Sequence, residues 1–212
     1  MNNNKENIIG AVIVAAGLSS RMGNYKPLME IGGKSVARRV ACALAAASTG
    51  PIVVVTGHRA DELEAHLAEC VELEPRLLFI RNEAYASTPM FESAKLGLMH
   101  IMGRCGRSFF CPIDVPLFTA DTARALAASK SPIVKPVHKG EEGHPILIRA
   151  ELIPELAKRG DADGMKGALS AFERVTELVE VADEGILYDA DTPEQFKRLE
   201  KMASSRSNGS KL

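Results

Sequence analysis

The sequence predicts an α/β fold: a mostly parallel sheet covered on both faces, with one antiparallel excursion. Three observations carry this reading. Short, nearly continuous apolar runs recur along the 212 residues, helical patterns separate most of them, and one pair of runs is joined too tightly for a helix. Strands that are apolar throughout belong in sheets buried on both sides, and strand–helix alternation favours parallel pairing.

The elements follow in order. The first strand is expected over residues 8–15, the second in "PIVVVTG" (51–57), and further strands in "RLLFI" (76–80) and "SFFCPI" (108–113). "PIVKPV" (132–137) and "HPILIRA" (144–150) complete the series. Between them, Val36, Val40 and Leu44 recur at helical spacing, with Arg38 and Arg39 on the other side. Leu63, Leu67 and Cys70 repeat the pattern, as do Phe91, Ala94, Leu98 and Ile101. Each is an amphipathic helix packed on one face. Thr119 begins another, with Asp121 in its first turn, where a negative charge suits the helix dipole. "HKGEEG" (138–143) leaves no room for a helix, so the strands it joins are expected to run antiparallel. No linker or internal repeat divides the chain, which reads as one domain over 1–203 followed by a polar, mobile tail over 204–212.

Composition narrows the class of protein. Apolar residues make up 46% and charged residues 25%, a globular balance, and the net charge of -1 provides no overall field for nucleic acid or an anionic membrane. An anionic ligand must therefore be held by local cations. The apolar run from Ile8 to Ala16 is shorter than the roughly 18–20 residues of a bilayer span, and no small-residue cleavage site of a signal peptide precedes the turn after it. Ser210-Lys211-Leu212 spells a peroxisomal address, but nothing else supports it, and the cytoplasm is expected. Cys42, Cys70, Cys105 and Cys111 lack paired spacing and read as small buried hydrophobes in a reducing compartment, with disulfide or zinc the alternative.

The loop leaving the first strand, "AAGLSSRMGNYKPL" (15–28), carries the chemistry. In an open parallel sheet ligands sit at the carboxyl ends of strands. Gly17 lets backbone N–H groups approach an anion, Ser19 and Ser20 add hydroxyls, Arg21 offers a planar fork and Lys26 a mobile point charge. These residue types make a polyphosphate cradle; the competing reading is a solvated polar loop. Two better-known phosphate signatures are absent. "IGGKSV" (31–36) ends like a P-loop, yet its first glycine would fall at Leu28, and no G-x-G-x-x-G follows a strand. Gly32-Gly33 reads as a turn leading into the helix.

With "PIDVPLF" (112–118), "GHPILI" (143–148) and "YDADTPEQF" (188–196), this loop resembles the nucleotidyltransferases related to molybdenum cofactor biosynthesis, and within them the cytidylyltransferase branch. The four motifs occur in the family's order over nearly the whole chain. The resemblance implies a three-layer, Rossmann-like sandwich of the nucleotide-diphospho-sugar transferase type. It implies attack by a phosphate-bearing acceptor on the α-phosphorus of a nucleoside triphosphate, with pyrophosphate leaving. Ala15-Ala16-Gly17 is similar to members that use CTP rather than GTP. The implied acceptor is molybdopterin or another phosphorylated small molecule, and a molybdoenzyme would receive the product.

That reaction makes physical demands on the residues. A phosphate monoester, with a second pKa near ~6, is largely a dianion at neutral pH and needs no general base. Accordingly, no Ser-His-Asp, Cys-His or two-histidine metal constellation is evident. Charge neutralisation is required instead, from Arg21, Lys26 and a divalent ion: magnesium, with manganese the alternative. Asp114, just past an apolar strand, is the expected metal ligand, and Asp189 or Asp191 the second carboxylate. Asp191 could equally cap the helix beginning at Pro193. The resemblance places Asn82 near the nucleotide and Ser93 and His144 near the acceptor; turn, cap and strand-start roles compete for these three. Two departures weaken the acceptor assignment. "STPMFESAKLGL" puts Met90 and Phe91 where the family has glycine and serines, and "GDADGMKGAL" (160–169) carries Lys166 where arginine is usual. A transferase for sugar or alcohol phosphates and a non-catalytic nucleotide- or cofactor-binding partner are the rival readings.

Overall fold

The computed structural model describes residues 5–18, 23–159 and 163–209. The chain opens with β1 (Ile9–Val14), a short hairpin of β2 (Glu30–Ile31) and β3 (Lys34–Ser35), and α1 (Val36–Ala45). It continues through β4 (Ile52–Thr56), α2 (Ala60–Ala68), β5 (Leu77–Arg81), α3 (Met90–Ile101), β6 (Arg107–Pro112) and α4 (Ala120–Ala128). Then come β7 (Ile133–His138), β8 (Glu141–Glu142), β9 (Ile146–Arg149), α5 (Ile153–Ala157), α6 (Gly164–Ser170), β10 (Thr176–Glu180) and α7 (Pro193–Gly209).

The main sheet has the order β10-β7-β9-β6-β1-β4-β5, with β8 hydrogen-bonded to β7. β1 pairs parallel with both β4 and β6, and β4 with β5, whereas β9 runs antiparallel to β6 and to β7. The expected excursion is therefore real, and it is the tight β7–β9 connection that forces it. Beyond it β10 pairs parallel with β7. The apolar runs predicted this sheet because β1 and β4 are buried at every residue.

Helices cover both faces, giving the three-layer α/β sandwich. One core gathers Val40, Leu44, Leu63, Leu126 and Leu199 against Ile13, Val54 and Phe109; the other gathers Phe91, Leu98, Leu156 and Leu169 against Val12, Val55 and Phe110. Alternate strand residues thus feed opposite cores, as the period of two requires. Each fully buried phenylalanine of β6 contributes about 2–3 kcal/mol by removal from water. On the second face Gly97 lets α3 sit directly on the sheet. A Cβ there would come within 2.5 Å of Val12 and 2.7 Å of Val55.

Helix ends follow their sequence signals. Ser35 caps α1 by accepting from the Arg38 N–H, and Thr119 caps α4 by accepting from the Thr122 N–H. The last helix runs past the boundary expected at 203, so residues 204–209 continue α7 instead of starting a tail. Arg206 anchors this helix by donating to the Leu117 carbonyl at 2.5 Å and to Asp183 at 2.7 Å. Asp183 also accepts from the Thr119 N–H and the Thr122 hydroxyl, which holds its carboxyl below the usual range despite burial.

Candidate active site

The loop after β1 is clamped before it opens. Ala15 donates its N–H to the Val55 carbonyl at 2.8 Å, and the Ala16 carbonyl accepts from His58 N–H at 3.2 Å. The close approach of the two turns depends on Gly57, where a Cβ would lie 2.8 Å from the Ala16 oxygen and 2.8 Å from Tyr85. At Gly17 the situation is reversed. A Cβ there would meet nothing within 4 Å, and the residue lines a cavity of about 260 Å³. Ala15, Ala16 and Gly17 thus form backbone wall at the carboxyl end of β1, where the sequence placed the cradle. Ser19 and Arg21 lie outside the described residues.

Lys26 is the described cation of the loop. It starts a short 3-10 turn and is only 7% exposed. Its Nζ donates to Asp191 Oδ1 at 2.7 Å and lies 3.7 Å from Asp114 Oδ2. Asp114 follows the end of β6, and its carbonyl accepts the Ala190 N–H at 2.8 Å, which ties the β6 loop to the segment before α7. Three motifs far apart in sequence therefore meet at one ammonium. Burial raises the Asp114 pKa, Lys26 opposes the rise, and the neighbouring Asp191 and Asp189 carboxylates add to it.

The two C-terminal aspartates separate by role. Thr192 and Gln195 form a reciprocal capping box at the start of α7. The Gln195 N–H donates to Thr192 Oγ1 at 3.2 Å, and Gln195 Oε1 accepts from Thr192 N–H at 2.8 Å and Asp191 N–H at 3.1 Å. Thr192 is thus the cap, and the Asp191 side chain turns to Lys26. Asp189 instead accepts from the Gln195 amide at 2.7 Å. Asp114 and Asp191, hard oxygen donors on either side of the Lys26 ammonium, suit a magnesium or manganese ion.

Tyr85, Thr88, Met90 and Ser93 complete the cavity wall, opposite Pro112 and Asp114. Asn82 stands behind it rather than in it. Its amide donates to Ser93 Oγ at 2.9 Å and Thr88 Oγ1 at 3.2 Å, while its Oδ1 accepts the Ala84 N–H at 3.0 Å. Asn82 therefore shapes the loop that carries the lining residues. Ser93, buried in the first turn of α3, does reach the wall. Beside it runs an aromatic row: Tyr25 meets His58 edge-on at 5.7 Å, His58 meets Tyr85 at 6.1 Å, and the Arg59 guanidinium lies 4.7 Å over the Tyr25 ring. Burial pushes the Tyr25 hydroxyl up to about 12.

A second, larger cavity of about 840 Å³ shares Met90 and Pro112 with the first. Its walls combine Phe91, Phe110 and Met165 with Lys135, Lys166 and His144 and with the carboxylates of Glu141, Glu142 and Asp163. His144 packs edge-on against Phe110 at 5.9 Å, and its Nδ1 is buried without a partner among the described residues. Burial and the charge of Lys135 lower its pKa to about 4, so the imidazole is neutral near pH 7. The sequence reading makes His144 an acceptor-side residue; the structure places it, with Lys166, in a cavity next to the one the loop lines. Tyr85, Thr88 and Met165 were not singled out in the sequence, because a loop tyrosine or threonine, or a methionine in a short helix, carries no signal of its own.

An α/β sandwich with a cation and two carboxylates meeting at the carboxyl ends of its strands, beside a paired cavity, can hold a phosphate chain and a divalent ion. The chain belongs to the MobA-like NTP transferase domain family, whose profile matches residues 11–178. It is 30% identical over 190 residues to the molybdenum cofactor cytidylyltransferase of Escherichia coli (strain K12), covering 89% of this chain and 93% of that one. Among solved structures, a nucleotidyl transferase from Methanothermobacter thermautotroptrophicus superposes with a TM-score of 0.80 at 23% identity, covering 94% of this chain and 99% of that one. A Mycobacterium tuberculosis H37Rv protein in complex with manganese superposes with a TM-score of 0.71 at 19% identity, covering 92% and 98%.

Proposed function

We propose that this nucleotidyltransferase moves CMP from CTP to the phosphate of molybdopterin in a magnesium-dependent reaction in the cytoplasm. The observation that carries the reading is the meeting of Lys26, Asp114 and Asp191 at a cavity walled by Ala15, Ala16 and Gly17. Ala15-Ala16-Gly17 and the E. coli relative both favour CTP.

In the proposed reaction an oxygen of the acceptor phosphate bonds to the α-phosphorus of CTP, the bond from the α-phosphorus to the bridging oxygen breaks, and pyrophosphate leaves with that electron pair. No proton must move, because the nucleophile is already a dianion. Lys26 counters the charge of the triphosphate, and Arg21 adds a second cation from the same loop. Asp114 and Asp191 would hold magnesium, which when bound supplies the remaining neutralisation of the phosphates. Gly17 leaves the nucleotide a wall without side chains. In the neighbouring cavity Phe91, Phe110 and Met165 offer an apolar surface for a flat heterocycle, Lys166 suits its phosphate while Lys135 is paired with Glu142 at 2.7 Å, and neutral His144 presents Nδ1 for a hydrogen bond. His144 is not a general base here, since a group with a pKa near 4 binds protons weakly at neutral pH.

A sugar or alcohol phosphate is the second reading, favoured by Lys166, whose point charge lacks the bidentate fork of arginine. The experiment is pyrophosphate release with CTP, GTP, ATP and UTP, each with and without molybdopterin. Release with CTP only when molybdopterin is present supports the proposal. Release with a sugar phosphate supports the second reading, and none with any acceptor supports a non-catalytic binding partner.

A further inference from the structure

Away from both cavities, the seam between α1 and the turn after α2 brings two cysteines together. Cys42 Sγ lies 3.7 Å from Cys70 Sγ, and Cys70 Sγ lies 3.0 Å from Glu72 Oε2. The two sulfurs and a Glu72 carboxylate oxygen all fall within 4.8 Å of one another. They open onto a separate cavity of about 220 Å³ that shares no lining residue with the candidate active site. We propose that Cys42, Cys70 and Glu72 form a binding site for a thiophilic divalent cation, of which Zn²⁺ is the representative.

Geometry carries the proposal. In a tetrahedral site with Zn–S near ~2.3 Å, two thiolates stand about 3.8 Å apart, and a thiolate and a carboxylate oxygen about 3.5 Å apart. The Cys42–Cys70 separation already equals the first edge, so the ion needs no backbone movement to bridge the sulfurs. The Glu72 oxygen has to withdraw only slightly, and Glu72 is exposed and free to do so. Cys42 is half-buried beside the cavity, which gives an entry path, and the fourth position is left to water. Both thiols must lose their protons on binding. Two thiolates and a carboxylate around a divalent ion leave one net negative charge. Lys34 and Arg38 lie closest to answer it: the hydrogen bond from Cys70 does most to hold Glu72 ionised and these two cations add to it, while Arg38, paired with Glu69 through its Nη2, has its Nε buried without a partner among the described residues. His66 completes the surroundings from α2, with its Nε2 2.7 Å from Ser35 Oγ. The bound ion would fasten α1 to the turn that follows α2.

The test is a titration of the full chain, kept reduced with a phosphine, using Co²⁺ as the spectroscopic probe and Zn²⁺ as its competitor. One equivalent of Co²⁺ should produce a thiolate-to-metal charge-transfer band with the visible spectrum of a tetrahedral centre, and Zn²⁺ should abolish it. Cys42→Ser and Cys70→Ser should each weaken binding at least a hundredfold, and Glu72→Gln about tenfold. Cys42→Ala serves as a second variant should the serine change disturb α1, with circular dichroism confirming the fold. Absence of the band in folded wild-type protein overturns the proposal, as does a band that survives in both cysteine variants.

Discussion

Replacing His144 with phenylalanine and then acidifying the solution isolates the charge state of the cavity that His144 lines. In the folded chain His144 has its pKa lowered from 6.5 to about 4, chiefly by burial. Between those values the unfolded chain binds a proton that the native state refuses, so stability must fall as pH drops from about 6.5 toward about 4. At pH 5 the unfolded imidazole is almost fully protonated and the native one is mostly neutral, which costs about 2 kcal/mol relative to pH 7. For a chain of this size that is a fall of about 4–8 °C in Tm. The assay is thermal or urea unfolding of wild type and His144→Phe at pH 7 and pH 5. Phenylalanine keeps the ring packing on Phe110, and its own packing cost cancels because each protein is compared with itself. His66 and His100, also lowered by burial, titrate in both proteins and cancel too. The expected result is a pH-dependent loss about 2 kcal/mol smaller in the variant. Equal losses would show that the imidazole is not held neutral, and the assignment of Nδ1 as a hydrogen-bonding group for the acceptor would fall with it.

Three further outcomes are expected. Asp114→Asn should lower turnover by about 10²–10³ while leaving stability unchanged or slightly higher, because the ionised carboxylate is disfavoured in the fold; unchanged turnover refutes the metal role. Lys26→Met should cost about 1–3 kcal/mol in urea unfolding by leaving Asp114 and Asp191 facing each other, less than for a fully buried pair since both aspartates are partly exposed. A variant as stable as wild type would remove the charge argument. Thr192→Ala should cost about 1 kcal/mol through the lost cap of α7, and no change would mean that Gln195 alone holds the helix start.

Much of this molecule could be read from its residues because burial and alternation speak directly. The runs that form β1 and β4 and the second half of β6 are nearly continuous apolar stretches, and the shortness of "HKGEEG" foretold the antiparallel excursion. β10 was not read because "TELVE" carries two glutamates and lies at the edge of the sheet, where no apolar run is required. α5 and α6, of 5 and 7 residues, are too short to show a helical stripe. In the site, the loop after β1 and Asp114 were legible as strand-end positions, and the structure brings Ala15, Ala16, Gly17, Lys26 and Asp114 to one cavity. Which of Asp189 and Asp191 turns to Lys26 was not, although the Thr-Pro-Glu-Gln run of a capping box was present to decide it. Tyr85 and Thr88 are held at the cavity by bonds to Asn82, by the Ala84 carbonyl and by the His58 ring, a tertiary fact that no single-residue pattern encodes.

The most direct measurement follows the phosphorus atoms. CTP labelled at the α-phosphorus, and separately at the γ-phosphorus, is incubated with the chain, magnesium and molybdopterin, and the products are separated. Transfer of the α label to the acceptor, with the γ label recovered in pyrophosphate, is the result expected of nucleotidyl transfer at Lys26, Asp114 and Asp191. Recovery of the γ label on the acceptor or in free inorganic phosphate would mean that the cleft performs a different reaction.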